Sequence, residues 1–242
     1  MKTILLFISL ILSSFIKSDN KAPGFVVIEL FTSEGCSSCP SADRLLKKLE
    51  ARYEGQQVYV MEFHVDYWDK YGWKDPYSQH AFTERQWAYC DYLKSTTYTP
   101  QAVINGKEQF VGSDSVKVIN SINYFFNQAA VENNPPEYAV SNSGKQITIT
   151  CPPDSKLKGD QVHAALVKKG GKNDVTSGEN KGRTLEHVNI VQDFKTATLG
   201  RKPSQLQVTL PESESKDSFN LIVYTQDPKN LAITSVKQLP IN

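Results

Sequence analysis

Apolar and polar positions follow three different rhythms along the chain, and each predicts a different kind of element. Met1-Lys2-Thr3 leads into an apolar run from Ile4 to Ile16, broken only by small serines, and then into polar Lys17-Ser18-Asp19-Asn20. That layout is read as a signal peptide over residues 1–18, because the run falls short of the ~20 apolar residues of a membrane span. No cysteine follows the run to carry a lipid anchor. A short β-branched block, Gly24 to Phe31, then predicts a strand buried on both faces. Beyond Cys39, apolar Ala42, Leu45, Leu46, Leu49 and Tyr53 recur at helical spacing. Asp43 stands in the first turn and Lys47, Lys48 and Arg52 come later, which matches the helix dipole.

Val58 to Val65 predicts a second strand, and an aromatic stretch from Tyr67 to Tyr77 reads as an inserted loop. Thr83 to Lys94 predicts a helix opened by a Thr83/Gln86 capping box, with Trp87, Cys90 and Leu93 on one face. Ala102-Val103-Ile104 and Gln109-Phe110-Val111 flank Asn105-Gly106, a strong hairpin signal. From Ser113, Val118, Ile119, Ile122, Phe125, Phe126 and Ala129 trace a last helix.

At Asn133-Asn134-Pro135-Pro136 the helical rhythm stops. Short alternating runs take over at Gln146–Cys151, Val162–Val167, Leu206–Leu210, Phe219–Thr225 and Ile233–Leu239. The expected organisation is therefore an α/β unit over 24–132 and a smaller all-β, sandwich-like unit over 137–242.

Composition changes this picture little: 242 residues, 39% hydrophobic, support a real core. A net charge of +1 provides no field to draw the protein onto nucleic acid or an anionic membrane. Four cysteines are too few for a disulfide scaffold in so long a chain.

Two of those cysteines carry the candidate chemistry. Cys36 and Cys39, in GCSSCP, stand where a buried strand turns into a helix, over free backbone amides at the positive helix end. Such placement lowers a thiol pKa from about 8.5 to roughly 3.5–7.5, which makes Cys36 the nucleophile and Cys39 the resolving thiol. A purely structural cross-link gains only about 2 kcal/mol from so small a ring, a poor reason for this spacing. A CxxC near a βαβ pattern points to thioredoxin-like redox chemistry. Tyr98-Thr99-Pro100 precedes the next strand where thioredoxin-like domains carry a cis proline. A cis Thr99–Pro100 bond is expected, with Thr99 pairing an extended substrate.

The segment ELFTSEGCSSCP, with FHVDYWD, GWKDP, FTERQ, YTPQAVING, FVGSD and, in the second half, GENKGRTLEHVNIV, resembles an uncharacterised family of secreted bacterial thioredoxin-like proteins. The resemblance implies a thioredoxin-like fold and a secreted or periplasmic location, and leaves the substrate open.

His64 and Asp66 close the second strand, at the sheet end that faces ligands, and are candidates to assist proton transfer. An ordinary structural histidine is the competing reading. Trp68 and Trp73 lead a group of aromatics that either floors a peptide cleft or packs the insertion onto the sheet. Cys90 and Cys151 read as buried free thiols, with a bridge between them as the less favoured alternative. The loop from Glu179 to Arg183, with Glu186 and His187, reads as a solvated turn, with capping of the dithiol as the alternative.

The expected partners are protein or peptide thiols and disulfides, with no cofactor and no metal ligands assigned, since neither a second CxxC nor an HxxxH is present. Against a thiol–disulfide oxidoreductase stand a copper carrier built on Cys36, Cys39 and His64, a non-catalytic peptide-binding module, and a structural protein with a vestigial dithiol.

Overall fold

A computed structural model describes residues 24–127, 133–154 and 156–241. The expected signal peptide and the end of the last helix at Ala129 lie outside the described residues.

The first half runs β1 (Val26–Thr32), α1 (Cys39–Arg52), β2 (Val58–His64), α2 (His80–Leu93), β3 (Gln101–Ile104), β4 (Glu108–Val111) and α3 (Ser115–Asn127). The second half runs β5 (Ala139–Ser143), β6 (Gln146–Cys151), β7 (Gln161–Asp174), β8 (Thr184–Thr198), β9 (Ser204–Thr209), β10 (Phe219–Gln226) and β11 (Ile233–Leu239). β1 is buried along its whole length, as its unbroken apolar pattern requires. Asn105 and Gly106 turn β3 into β4 with positive φ of 49° and 67°, a conformation that Asn and Gly adopt at low cost.

The larger sheet has eight strands in the order β11-β10-β7-β8-β2-β1-β3-β4. It therefore runs without a break from one half of the chain into the other. The junction is a parallel pairing of β2 with β8 at Glu62 and Ile190. β5, β6 and β9 form a second, three-stranded sheet. Ile147, Ile149 and Cys151 of that sheet pack on Val162, Leu166, Leu221 and Val223 of β7 and β10. A separate core joins Phe31, Met61 and Phe63 to Val167, Val191 and Tyr224, so both halves contribute to one apolar cluster.

Two details depart from the sequence reading. α2 begins at His80, and its N-cap Gln79 makes no side-chain cap bond. The Thr83/Gln86 capping box is absent because Thr83 donates to Asp66 and the Gln86 amide donates to the Tyr98 carbonyl and Gln101. β8 and the outer half of β7 were not expected as strands. β7 is continuously buried over 162–167 and half-buried to exposed beyond, β8 is continuously buried over 187–191 and half-buried to exposed from 192 on, and the two pair as a ribbon out to Asp174 and Thr184.

Among the described residues no helix is long and apolar enough to cross a membrane.

Candidate functional site

The chain leaves β1 at Thr32 and turns tightly through Ser33, Glu34 and Gly35. The Cys36 amide donates to the Ser33 carbonyl at 3.1 Å and the Gly35 amide to Ser33 Oγ at 3.1 Å. A Cβ at Gly35 would lie 3.0 Å from Trp68 Cβ, so the smallest residue suits this close approach. α1 begins at Cys39, with Pro40 in its first turn, where a missing N–H costs little.

Cys36 and Cys39 form a disulfide with Cα atoms 5.4 Å apart. The Thr99–Pro100 bond is cis, as expected. Ser38 joins the two features, since its Oγ lies 3.3 Å from Cys36 Sγ and donates to the Thr99 carbonyl at 3.4 Å. Trp68 Nε1 donates to Thr99 Oγ1 at 2.8 Å. Gly112 backs the proline: its amide donates to the Pro100 carbonyl, and a Cβ there would strike Leu30 at 2.5 Å.

Both cysteines are closed off from solvent, at 1% and 0% exposure, while Ser37 and Ser38 between them are exposed. The cover comes from the tip of the β7–β8 ribbon. Asn180, itself fully buried, donates to the carbonyls of Glu34 at 2.8 Å and Cys36 at 2.9 Å. Glu179 accepts from the Ser37 amide at 3.1 Å. Ser177 donates to the Gly72 carbonyl, and a Cβ at Gly178 would touch Trp73 at 3.1 Å. The loop read as a solvated turn is thus a cap on the dithiol. Its composition is polar because its side chains bond to backbone groups beneath it.

Behind the disulfide lies a buried chain of alternating carboxylates and imidazoles. His64 Nδ1 is 2.7 Å from Asp75 Oδ2, and its Nε2 is 3.3 Å from Glu62 Oε2. His187 Nδ1 is 2.9 Å from the same Glu62 oxygen. Its Nε2 is 3.3 Å from Glu34 Oε1, an ion contact without the alignment of a full hydrogen bond. The amide of Glu34 donates to Asp75 at 2.8 Å, which closes the chain back onto the CxxC turn.

Burial opposes charge on Glu62, His64, Asp75 and His187, and their pairing outweighs it. Against that burial, Asp75 and Glu62 raise His64 to about 9, and Glu34 and Glu62 hold His187 well above the usual imidazole range. The two imidazoles in turn hold Glu62 below its ordinary value, and His64 does the same for Asp75. Asp43 behaves differently. One helical turn beyond Cys39 and buried, it is pushed up to about 7 by burial and then by the Glu62 charge, although Thr32 donates to it at 2.7 Å.

The site residues named from sequence fall into two groups. Cys36, Cys39, Thr99, Pro100 and Trp68 come together through the contacts above. Trp73 joins them indirectly, donating its Nε1 to Glu34 Oε2 at 2.8 Å. His64 turns both ring nitrogens to carboxylates. Asp66 faces α2, accepting from Thr83 at 2.6 Å and lying 2.9 Å from His80. Of the other aromatics, Tyr67 packs on the core and Tyr71 is 57% exposed. Cys90 and Cys151 are buried free thiols, as expected. Glu34, Asp43, Glu62 and Asp75 were missed as site members. Glu62 carried a readable signal, being an acid inside an apolar run and two residues from His64, hence on the same strand face.

Fold and site together define a mixed α/β protein with a large sheet, whose CxxC disulfide stands at the entrance to its first helix. Over residues 27–226 the chain matches the family described as protein of unknown function DUF1223, and it belongs to that family. It is similar to protein AGR_C_4864 from Agrobacterium tumefaciens, a crystal structure with 26% identity and a TM-score of 0.66. That match covers 90% of this chain and 94% of the other. It shares its fold with HBP35 of Porphyromonas gingivalis at 15% identity and a TM-score of 0.58, over 90% of this chain and 75% of that one. No curated protein matches the chain.

Proposed function

We propose that this protein is an exported, thioredoxin-like thiol–disulfide oxidoreductase acting through Cys36 and Cys39 on protein or peptide disulfides. The observation that carries the reading is the joining, through Ser38, of a CxxC disulfide at a helix N-terminus to the carbonyl before a cis proline. The strand order β2-β1-β3-β4, with β1 and β2 parallel and β3 antiparallel to β1, supports the thioredoxin-like assignment. In this reading residues 24–132 are the thioredoxin-like unit and residues 137–242 an all-β unit that supplies the cap, after a signal peptide over 1–18. Export to an oxidising compartment suits a protein that holds a disulfide.

In the reducing direction the Cys36 thiolate attacks one sulfur of a substrate disulfide, forming a mixed disulfide and releasing the first substrate thiolate. The Cys39 thiolate then attacks Cys36 Sγ. This releases the second substrate thiolate and leaves the Cys36–Cys39 bond, so two electrons pass from protein to substrate. Oxidation of a substrate dithiol is the same sequence reversed. Asp43 takes the Cys39 proton, a role suited to a buried acid with a pKa of about 7 one turn along the same helix face. Thr99 offers backbone to an extended substrate beside Pro100, with Trp68 and Trp73 flanking it. His64 acts through its carboxylate partners, and Asp66 holds α2.

The test is a titration of the dithiol against glutathione with differential alkylation, beside a disulfide-reduction assay of wild type and Cys36→Ser. A reversible two-electron transition, and activity lost in the variant, is the expected result. A pair that neither reduces nor exchanges would sink the reading.

A further inference from the structure

We propose that Glu62, His64 and His187 form a binding site for one divalent first-row transition metal ion of the zinc class, distinct from the dithiol. Two strands build it. Glu62 and His64 lie two apart on β2 and share a face, and His187 comes from β8, the parallel neighbour of β2. One donor atom from each residue lies within 4.8 Å of the others, and all three residues are buried.

Two of the donor spacings approach those of a coordination shell. His64 Nε2 and His187 Nδ1 stand 3.3 Å and 2.9 Å from one oxygen, Glu62 Oε2. Ligand atoms bound at about 2.0–2.1 Å to zinc lie roughly 3.3–3.4 Å apart in tetrahedral geometry and roughly 2.8–3.0 Å apart as octahedral neighbours. All three donor atoms lie within 4.8 Å of one another, so an ion draws the two imidazoles inward as it binds.

The surroundings supply a second, independent sign. A metal-bound histidine characteristically gives its remote nitrogen to a carboxylate, which fixes the ring and strengthens the ligand. Here His64 does so, its Nδ1 2.7 Å from Asp75 Oδ2, while His187 Nε2 faces Glu34 Oε1 at 3.3 Å as an ion contact. Those outer carboxylates are tethered in turn. Asp75 accepts from the amides of Glu34 and Tyr77, and Glu34 accepts from Trp73 and Asn173. Glu62 Oε1 accepts from the Val188 amide, so the inner carboxylate is aimed as well.

Charge agrees with the geometry. Glu34, Glu62, Asp75 and Asp43 place four carboxyl groups in one buried region, and the hydrogen bonds and ion pairs described for the cluster include no lysine or arginine side chain. Two imidazoles and one carboxylate suit zinc and its first-row neighbours, whereas calcium and magnesium favour all-oxygen shells and Cu(I) favours thiolates. The proposal does not depend on the redox reading, because neither Cys36 nor Cys39 is a ligand.

The experiment uses the full mature chain with its disulfide oxidised, stripped by chelator and titrated with Zn²⁺ by calorimetry and with Co²⁺ by visible absorption. One ion should bind per chain, with Co²⁺ d–d bands and no thiolate-to-cobalt charge-transfer band. Cys36→Ser/Cys39→Ser should bind equally well, which separates this result from the fate of the redox proposal. Glu62→Gln and His187→Gln, each checked for folding by circular dichroism, should weaken binding by more than about 100-fold, and Asp75→Asn, which keeps all three ligands, by about 10- to 100-fold. The inference is overturned by wild-type affinity weaker than about 1 mM, by unchanged binding in folded Glu62→Gln or His187→Gln, or by binding that disappears with the cysteines.

Discussion

Replacing Asn180 with alanine removes the two buried hydrogen bonds that fasten the ribbon tip over the disulfide, those to the Glu34 and Cys36 carbonyls at 2.8 and 2.9 Å. Cys36 and Cys39 are 1% and 0% exposed and the tip is bonded to the turn that carries them, so the cap reading requires the tip to lift before a reductant enters. Each bond is worth about 1 kcal/mol net, so the closed state loses about 2 kcal/mol relative to the open one. The contact of Glu179 with Ser37 is exposed and adds little. If opening is fast and reduction tracks the open population, as local unfolding equilibria do, the rate rises by roughly 30-fold. Dithiothreitol reduction followed by alkylation and mass spectrometry measures it, with guanidinium unfolding as the control for global stability. The midpoint should move little, because the open state leaves the sheet intact. An unchanged reduction rate in a folded Asn180→Ala protein would refute the cap, and a rate increase matched by an equal loss of global stability would assign the effect to general unfolding.

Three further outcomes follow from the same contacts. Incubated with oxidised glutathione, reduced Cys39→Ser should accumulate a mixed disulfide at Cys36, and Cys36→Ser should not; mass spectrometry reads the nucleophile order directly. Asp43 binds its proton more tightly folded than unfolded, so its contribution to stability is fully present below pH 3.8 and is lost as pH rises through about 7. At about 1.4 kcal/mol per unit, that loss approaches about 4 kcal/mol. The facing charges are Glu62, His187 and His64. Asp43→Asn should flatten this part of the pH profile in chelator-treated protein, and a profile of unchanged slope would count against the assignment. Finally, Arg85 pairs with buried Glu29 at 2.6 and 2.7 Å, so Arg85→Met should cost about 3–5 kcal/mol by leaving that carboxylate unpaired. Adding Glu29→Gln should recover much of the loss in urea denaturation, and no recovery would mean that the arginine acts through its packing on Phe194 and Tyr89 instead.

What could be read from the chain is what depends on local pattern. β1 is continuous apolar residues, α1 carries a clear helical stripe, and Asn105-Gly106 dictates its own hairpin, so the first half was legible to within a few residues. The dithiol was legible because its motif is contiguous, and Thr99-Pro100 because it adjoins a strand. His64 was legible at its strand end, but the acidic groups around it and its pairing through Glu62 with His187 were not, because these lie across the sheet: His187 reaches Glu62 only once β8 lies beside β2. β8 itself escaped notice because polar His187 and Asn189 interrupt its buried stretch and its far half, 192–198, is half-buried to exposed, so no apolar period marks it. Thr83 and Gln86 show the opposite error. Their spacing fits a capping box, yet tertiary partners in Asp66 and Gln101 win both side chains.

The same dependence on β8 fixes what the second half contributes. It closes the sheet edge that β2 would otherwise present, since the parallel contact at Glu62 and Ile190 joins strands from the two halves. It adds Val167, Val191, Ile222 and Tyr224 to the cluster around Phe31, Met61 and Phe63. It also delivers His187 to Glu62 and Asn180 to the CxxC turn. A chain ending after residue 132 therefore loses core, edge protection, site and cap together. Each large apolar side chain left uncovered costs about 1.5–3 kcal/mol, and three or four of them exceed the roughly 5–15 kcal/mol that keeps an ordinary domain folded only at its lower end. The expected truncated protein is thus destabilised and prone to pair its open β2 edge with another copy. Size-exclusion chromatography with light scattering, beside thermal unfolding, decides this. A truncated chain that stays monomeric, melts like the full protein and keeps its disulfide as slow to reduce would show that the second half adds neither stability nor cover.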